Sequence, residues 1–169
     1  DHPILGFNYR ISELNAAVGL AQLRKLDDIL STQRTHKNML KSAMQGFPRI
    51  SFRNLPDESG DSATFLSFML PDEAGARQAA GDLAQAGVDG CFYWYDNNWH
   101  YLRKWHHLKD MKAAAGLAVR QYGHRPDYKA VHLPKSDAVM SRTISMQIKL
   151  GWTQADIEQR VANLKKVLG

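Results

Sequence analysis

The residues richest in chemistry sit in two places. The first is Gly6-Phe7-Asn8-Tyr9-Arg10, which sets an amide, a phenol and a guanidinium side by side. Ser12 follows as a helix N-cap, and Glu13 suits the positive end of the helix dipole. An arginine beside a helix start can hold phosphate or carboxylate bidentately, with the free N–H groups of the first turn adding positive potential. The same residues also serve as ordinary capping at a polar surface, and the segment alone does not choose between the two. The second place runs from Phe92 to Lys112, where Trp94, Tyr95, Trp99, His100 and Tyr101 mix with Arg103, Lys104, Lys109 and Lys112. Three uses fit that mixture: nucleobases stacked over a neutralised backbone, a sugar ring packed on an aromatic face, or tryptophans filling a domain boundary.

Other constellations are weaker. His106 and His107 are adjacent and diverge on any regular element, and no cysteine joins them or His100, so no metal site is expected. Cys91 is the single cysteine and lies in an apolar segment, which suits an inert thiol. A disulfide framework is therefore excluded, and a reducing cytoplasm is the natural compartment. There is no Gly-rich phosphate loop. Hydrophobic residues make up 44% and charged residues 23% of the 169, which is ordinary for a globular domain. No apolar run approaches the ~20 residues that span a bilayer, so no membrane partner is expected. The net charge of +5 allows attraction to phosphate groups, acidic sugars or nucleic acid, but the charges are dispersed like those of a solvated surface.

The elements that must position these groups follow from periodicity. Leu14, Ala17, Val18 and Ala21, then Leu26, Ile29 and Leu30, repeat at helical spacing from the Ser12 cap to about Met44. That is long for one helix, and a break is expected between Lys25 and Asp28. Gly46 and Pro48 end it. Ile50 to Arg53 is a short strand, and Thr64 to Leu70 reads as a buried one. Asp72 caps an alanine-rich helix that Gly87 terminates. Val88 to Tyr95 is strand-like, residues 96–128 are irregular, and Lys135 to Ser141 suits a short helix. Thr143 to Lys149 alternates, with Ile144, Met146 and Ile148 on one face. Thr153 and Asp156 resemble a capping box before a last helix striped by Ile157, Val161, Leu164 and Leu168. This order predicts an α+β layer, a small antiparallel sheet with helices on one face and a long leading helix. The expected division is 1–47, loop and connecting helix, and 48–169, the α+β domain. The apolar opening Ile4 to Tyr9 reads as continuing from something upstream.

The run from Gly6 to Ala17, continued by Gly19-Leu20-Ala21-Gln22-Leu23, resembles a signature of the DegT/DnrJ/EryC1/StrS aminotransferases, which act on nucleotide sugars and related sugars. The resemblance extends over essentially the whole chain. A narrower likeness runs through Val88 to Tyr95, Asn97 to Leu102, Arg125-Pro126-Asp127-Tyr128, Pro134 to Ala138 and Ser141 to Met146. It is to the branch that aminates an acidic eight-carbon sugar of lipopolysaccharide. The resemblance implies the C-terminal small domain of a fold-type-I pyridoxal-phosphate-dependent transferase. It implies a cytoplasmic homodimer moving an amino group from glutamate to an oxo-sugar, 8-oxo-3-deoxy-octulosonate, with no nucleic acid involved. A non-catalytic basic nucleic-acid-binding or dimerisation module is the alternative. In the family the lysine that holds the cofactor lies upstream of the Asn-Tyr-Arg segment. Here the first lysine is Lys25, so no catalytic residue is expected in this chain. By the same resemblance Asn8 and Arg10 bind the cofactor phosphate. His100 falls near the family's substrate mouth, although Asn97-Asn98-Trp99 replaces an apolar, proline-bearing stretch there. Trp94, Tyr95 and Trp99 are placed to contact sugar, and Arg103, Lys104 or Arg142 to meet an acidic sugar's carboxylate.

Overall fold

The computed structural model describes residues 9–97, 99–121 and 127–169. Helix α1 spans Glu13–Leu23 and α2 spans Leu26–Met44. The Ser12 hydroxyl accepts from the Asn15 N–H at 3.2 Å, as a cap should. The expected break falls at Arg24 and Lys25, where Lys25 leaves helical geometry at φ −102°, ψ 1°. The two helices then behave differently. α1 buries none of its residues, while α2 sends Leu40 and Met44 into the core.

Strand β1 is Ser51–Phe52, β2 is Phe65–Met69, β3 is Cys91–Phe92 and β4 is Thr143–Gln147. They form an antiparallel sheet in the order β1-β2-β4-β3. Three more helices complete the layer: α3 (Glu73–Gln85), α5 (Pro134–Met140) and α6 (Gln154–Leu168). A single turn, α4 (His106–Lys109), lies between β3 and α5. Asp72 caps α3 through the Gly75 N–H at 2.7 Å. Gly87 ends it in the left-handed region at φ +76°, which costs glycine nothing. The Thr153–Asp156 capping box at α6 is reciprocal.

Register decides the two faces of the sheet. Leu66, Phe68, Ile144, Met146 and Ile148 face α2, α3 and α6, and all are buried. Phe65, Ser67, Ser145 and Phe92 share the opposite face, because cross-strand partners point the same way. Ser145 is nonetheless only 5% exposed, its hydroxyl 2.8 Å from that of Ser67. The strand-like reading of Val88 to Tyr95 is too long: only Cys91 and Phe92 pair, and Trp94–Asp96 coils into a 3-10 turn. Residues 53–64 are strapped to α2. Lys37, a lysine only 7% exposed, meets Asp61 at 2.5 Å, and Arg34 donates to the Ser59 and Asp61 carbonyls at 2.7 and 3.0 Å.

Candidate functional site

The second face of the sheet carries the aromatic cluster. Phe92 leaves β3 beside Phe65 on β2, and the 3-10 turn folds Trp94 back over them. Phe92 and Trp94 stack at 4.8 Å with 9° between planes, and Phe65 meets both edge-on at 6.1 Å. His100 continues the set, edge-on to Trp94 at 4.8 Å, and Trp99 stands against His100 at 6.4 Å. Trp99 is 68% exposed, and the loop carrying it is pinned where its N–H donates to Asn97 Oδ1 at 2.6 Å. The result is an aromatic wall with an imidazole at its open end, suited to packing the C–H face of a sugar while a ring nitrogen reaches a hydroxyl.

Tyr95 does not join this wall. It is buried and turns the other way, edge-on to Tyr93 at 6.1 Å and tilted against Tyr101 at 5.8 Å, with the Arg103 guanidinium 3.7 Å above its ring. Adjacent side chains at such a turn diverge, so Trp94 and Tyr95 serve different clusters. Tyr101 donates to Asp137 on α5 at 2.5 Å. Burial, reinforced by that carboxylate, pushes the Tyr101 hydroxyl up to about 12, so it stays a donor at neutral pH. Burial likewise lifts Tyr93 to about 12, and its hydroxyl donates to the Ser141 carbonyl at 2.6 Å. Arg142, the next residue, is held by its backbone: its carbonyl accepts from the Leu70 N–H at 2.9 Å. Its side chain is half-buried and has no hydrogen bond among the described residues.

One clamp fixes the turn. Arg77 on α3 donates to Glu73 at 2.7 Å and to Asp96, and lies 5.2 Å above the Tyr93 ring. These bonds hold the Asp96 carboxyl below its ordinary range and raise Arg77 further. Nothing across the separation of 19 positions from Arg77 to Asp96 announces this pairing, although the Glu73–Arg77 spacing is readable as an i,i+4 pair. Asp137 was likewise silent in the sequence. Cys91 is half-buried and desolvation pushes its thiol up to about 11, an unreactive setting.

Arg10 is exposed two residues before the Ser12 cap. Asn8, Asn98 and the Arg125-Pro126 pair lie outside the described residues. As a cofactor site the described residues fit in part. Arg10 and the α1 N-terminus suit a phosphate, but Lys37 is spent on Asp61 and Lys149 on Asp89, and no buried lysine remains for a carbonyl.

The chain is an antiparallel α+β layer with a leading helix pair and an aromatic wall on its open face. The profile of the DegT/DnrJ/EryC1/StrS aminotransferase family matches residues 1–165, and the chain belongs to that family. The GDP-perosamine synthases of Escherichia coli O157:H7 and Vibrio cholerae are 35% and 36% identical over 49 and 47 residues, covering 29% and 28% of this chain and 14% and 13% of theirs. Among solved structures, Helicobacter pylori PseC, an aminotransferase involved in pseudoaminic acid biosynthesis, aligns over 99% of this chain and 40% of its own, with TM-score 0.68 and 13% identity. An aminotransferase from Psychrobacter cryohalolentis aligns over 98% and 41%, with TM-score 0.68 and 16% identity. The chain thus spans about two-fifths of the length of these solved structures.

Proposed function

We propose that this chain is the C-terminal part of a pyridoxal-phosphate-dependent sugar aminotransferase. In that reading the enzyme moves an amino group from glutamate to 8-oxo-3-deoxy-octulosonate, making the 8-amino sugar of a lipopolysaccharide. The observation that carries it is the family match over residues 1–165, joined to the aromatic wall that ends in His100. Pyridoxal phosphate, when bound, would supply the amino-group exchange between the donor and the sugar carbonyl. This chain's residues do the rest of the holding. Asn8 and Arg10 meet the cofactor phosphate at the α1 N-terminus, across a homodimer interface. Trp94 and Trp99 pack the sugar, His100 bonds one of its hydroxyls, and Tyr95 acts through the neighbouring Arg103. Arg142 contacts substrate from the end of the sheet.

The lysine that holds the cofactor belongs, in this reading, to polypeptide preceding residue 1. The exposed apolar residues of α1 support that: Leu14, Val18 and Leu23 are 75%, 56% and 64% exposed. A helix of 11 residues is marginal on its own in water, so a covering large domain is the natural partner for it. The test has two arms. Intact mass of this chain after pyridoxal phosphate and borohydride should show no stoichiometric adduct; one lysine labelled cleanly and completely would overturn the reading that the cofactor-holding lysine lies outside this chain. An enzyme that includes this chain should form the 8-amino sugar from glutamate and the aldehyde; failure there removes the substrate and leaves the family.

A further inference from the structure

The cations of this chain differ in what they face. Around α2, Lys37 and Lys41 line an open hollow, but each is paired, with Asp61 and Glu58. The hollow beside α6 is the same, because Arg160 and Lys149 share Asp89. A third recess differs from these two. It is a shallow recess with a volume of about 40 Å³, between the 3-10 turn Leu102–Lys104 and α5, lined by Tyr101, Arg103, Lys109, Val131, Leu133 and Asp137. Neither Arg103 nor Lys109 has a carboxylate within ion-pair distance among the described residues.

Both cations are nevertheless held in place. The Arg103 guanidinium lies 3.7 Å above the Tyr95 ring, and Lys109 Nζ donates to the Arg103 carbonyl at 2.8 Å. A guanidinium lying on an aromatic ring keeps its edge donors free for a planar anion. Asp137 stands on the same recess with one oxygen occupied by the Tyr101 hydroxyl and the other available as an acceptor. Val131 and Leu133 add half-exposed apolar surface. Unpaired cations, one carboxylate acceptor and apolar rim together match a molecule that carries a carboxylate, hydroxyl donors and C–H faces.

Building on the aminotransferase reading above, we propose that this recess is the specificity site for a sugar acid. Arg103 and Lys109 take the carboxylate, and Asp137 accepts from a sugar hydroxyl. A neutral sugar leaves the two cations unpaired and binds worse.

The test is binding by isothermal titration, using the 169-residue chain, 3-deoxy-octulosonate as the probe and its methyl ester as the neutral control. The acid should bind and the ester should bind at least about tenfold more weakly, the scale of one lost charge-assisted hydrogen bond. Arg103→Gln and Lys109→Gln should each lose about tenfold for the acid and little for the ester, whereas Arg103→Lys should recover part of the loss. Thermal midpoints of the variants identify any that merely unfold, and Lys109→Gln leaves the Tyr95 stack untouched. Equal binding of acid and ester, undiminished binding by both Gln variants, or no binding of the acid would each overturn the proposal. None of these outcomes involves amino transfer, so they leave the enzymatic reading standing. Conversely, an enzyme inactive on every oxo-sugar removes that reading without altering the binding data.

Discussion

Asp89→Asn isolates one charge at the joint that aims β3 toward the aromatic wall. The Asp89 carboxylate accepts from Arg160 on α6 and from Lys149. Arg160 also donates to the Asp89 carbonyl at 2.8 Å and lies 4.4 Å over the Trp152 ring. The arginine side chain is 8% exposed and the aspartate 58%. A charge-assisted bond contributes about 1.5–3 kcal/mol, and solvent at the carboxylate screens that toward the lower end. Asparagine keeps the shape and one acceptor, so the expected loss is about 1–2 kcal/mol, or roughly 3–6 °C in Tm for a chain of this length. The pH dependence has a definite sign. Lys149, then Arg160, hold the Asp89 carboxyl below its ordinary range. The stabilisation is therefore complete above the unfolded value of about 4 and is lost as pH falls through the lower folded value. Urea unfolding followed by circular dichroism should give the same difference between wild type and Asp89→Asn at pH 6.5 and 4.5, and a smaller one at pH 3. No difference at pH 6.5, or one undiminished at pH 3, would refute the reasoning.

Three further outcomes are expected. Phe68→Ala, at a fully buried centre of β2, should cost about 3–5 kcal/mol and be seen as a large drop in urea midpoint. Arg77→Gln should cost under ~1 kcal/mol globally because the pair is part-exposed; the sign of its role is faster amide exchange at residues 93–97 with α6 unchanged. The Cys91 thiol, pushed up to about 11, should resist iodoacetamide at pH 8 in the folded chain and react promptly in urea.

Much of the fold was legible because it is written in local signals. Asp72 and Gly87 bracket α3, Thr153 and Asp156 open α6, and the periodicity of Ile144, Met146 and Ile148 marks the core face of β4. What was misjudged depends on distant partners. Val88 to Tyr95 has strand composition throughout, yet pairing stops after Phe92. Tyr93 is tied to Ser141, 48 residues away, and Asp96 to Arg77, 19 residues back, and these bonds turn the chain out of the sheet.

The candidate site shows the same division at finer scale. The motif string presents Trp94 and Tyr95 as one unit, but burial separates them: Trp94 faces Phe92 and His100, whereas Tyr95 supports Arg103. Sequence can nominate aromatic and cationic residues for sugar work; only packing says which ring lines a surface and which ring carries a guanidinium. The distinction has a chemical consequence. Trp94, Trp99 and His100 are suited to any sugar ring, so they confer little selectivity. Discrimination between acidic and neutral sugars needs a charge that is held and unpaired, because a cation already neutralised by the protein gains little from a ligand's carboxylate. Lys37, Lys149 and Arg160 fail that criterion through Asp61 and Asp89, and Arg77 fails it through Glu73 and Asp96. Arg103, lying on Tyr95, meets it.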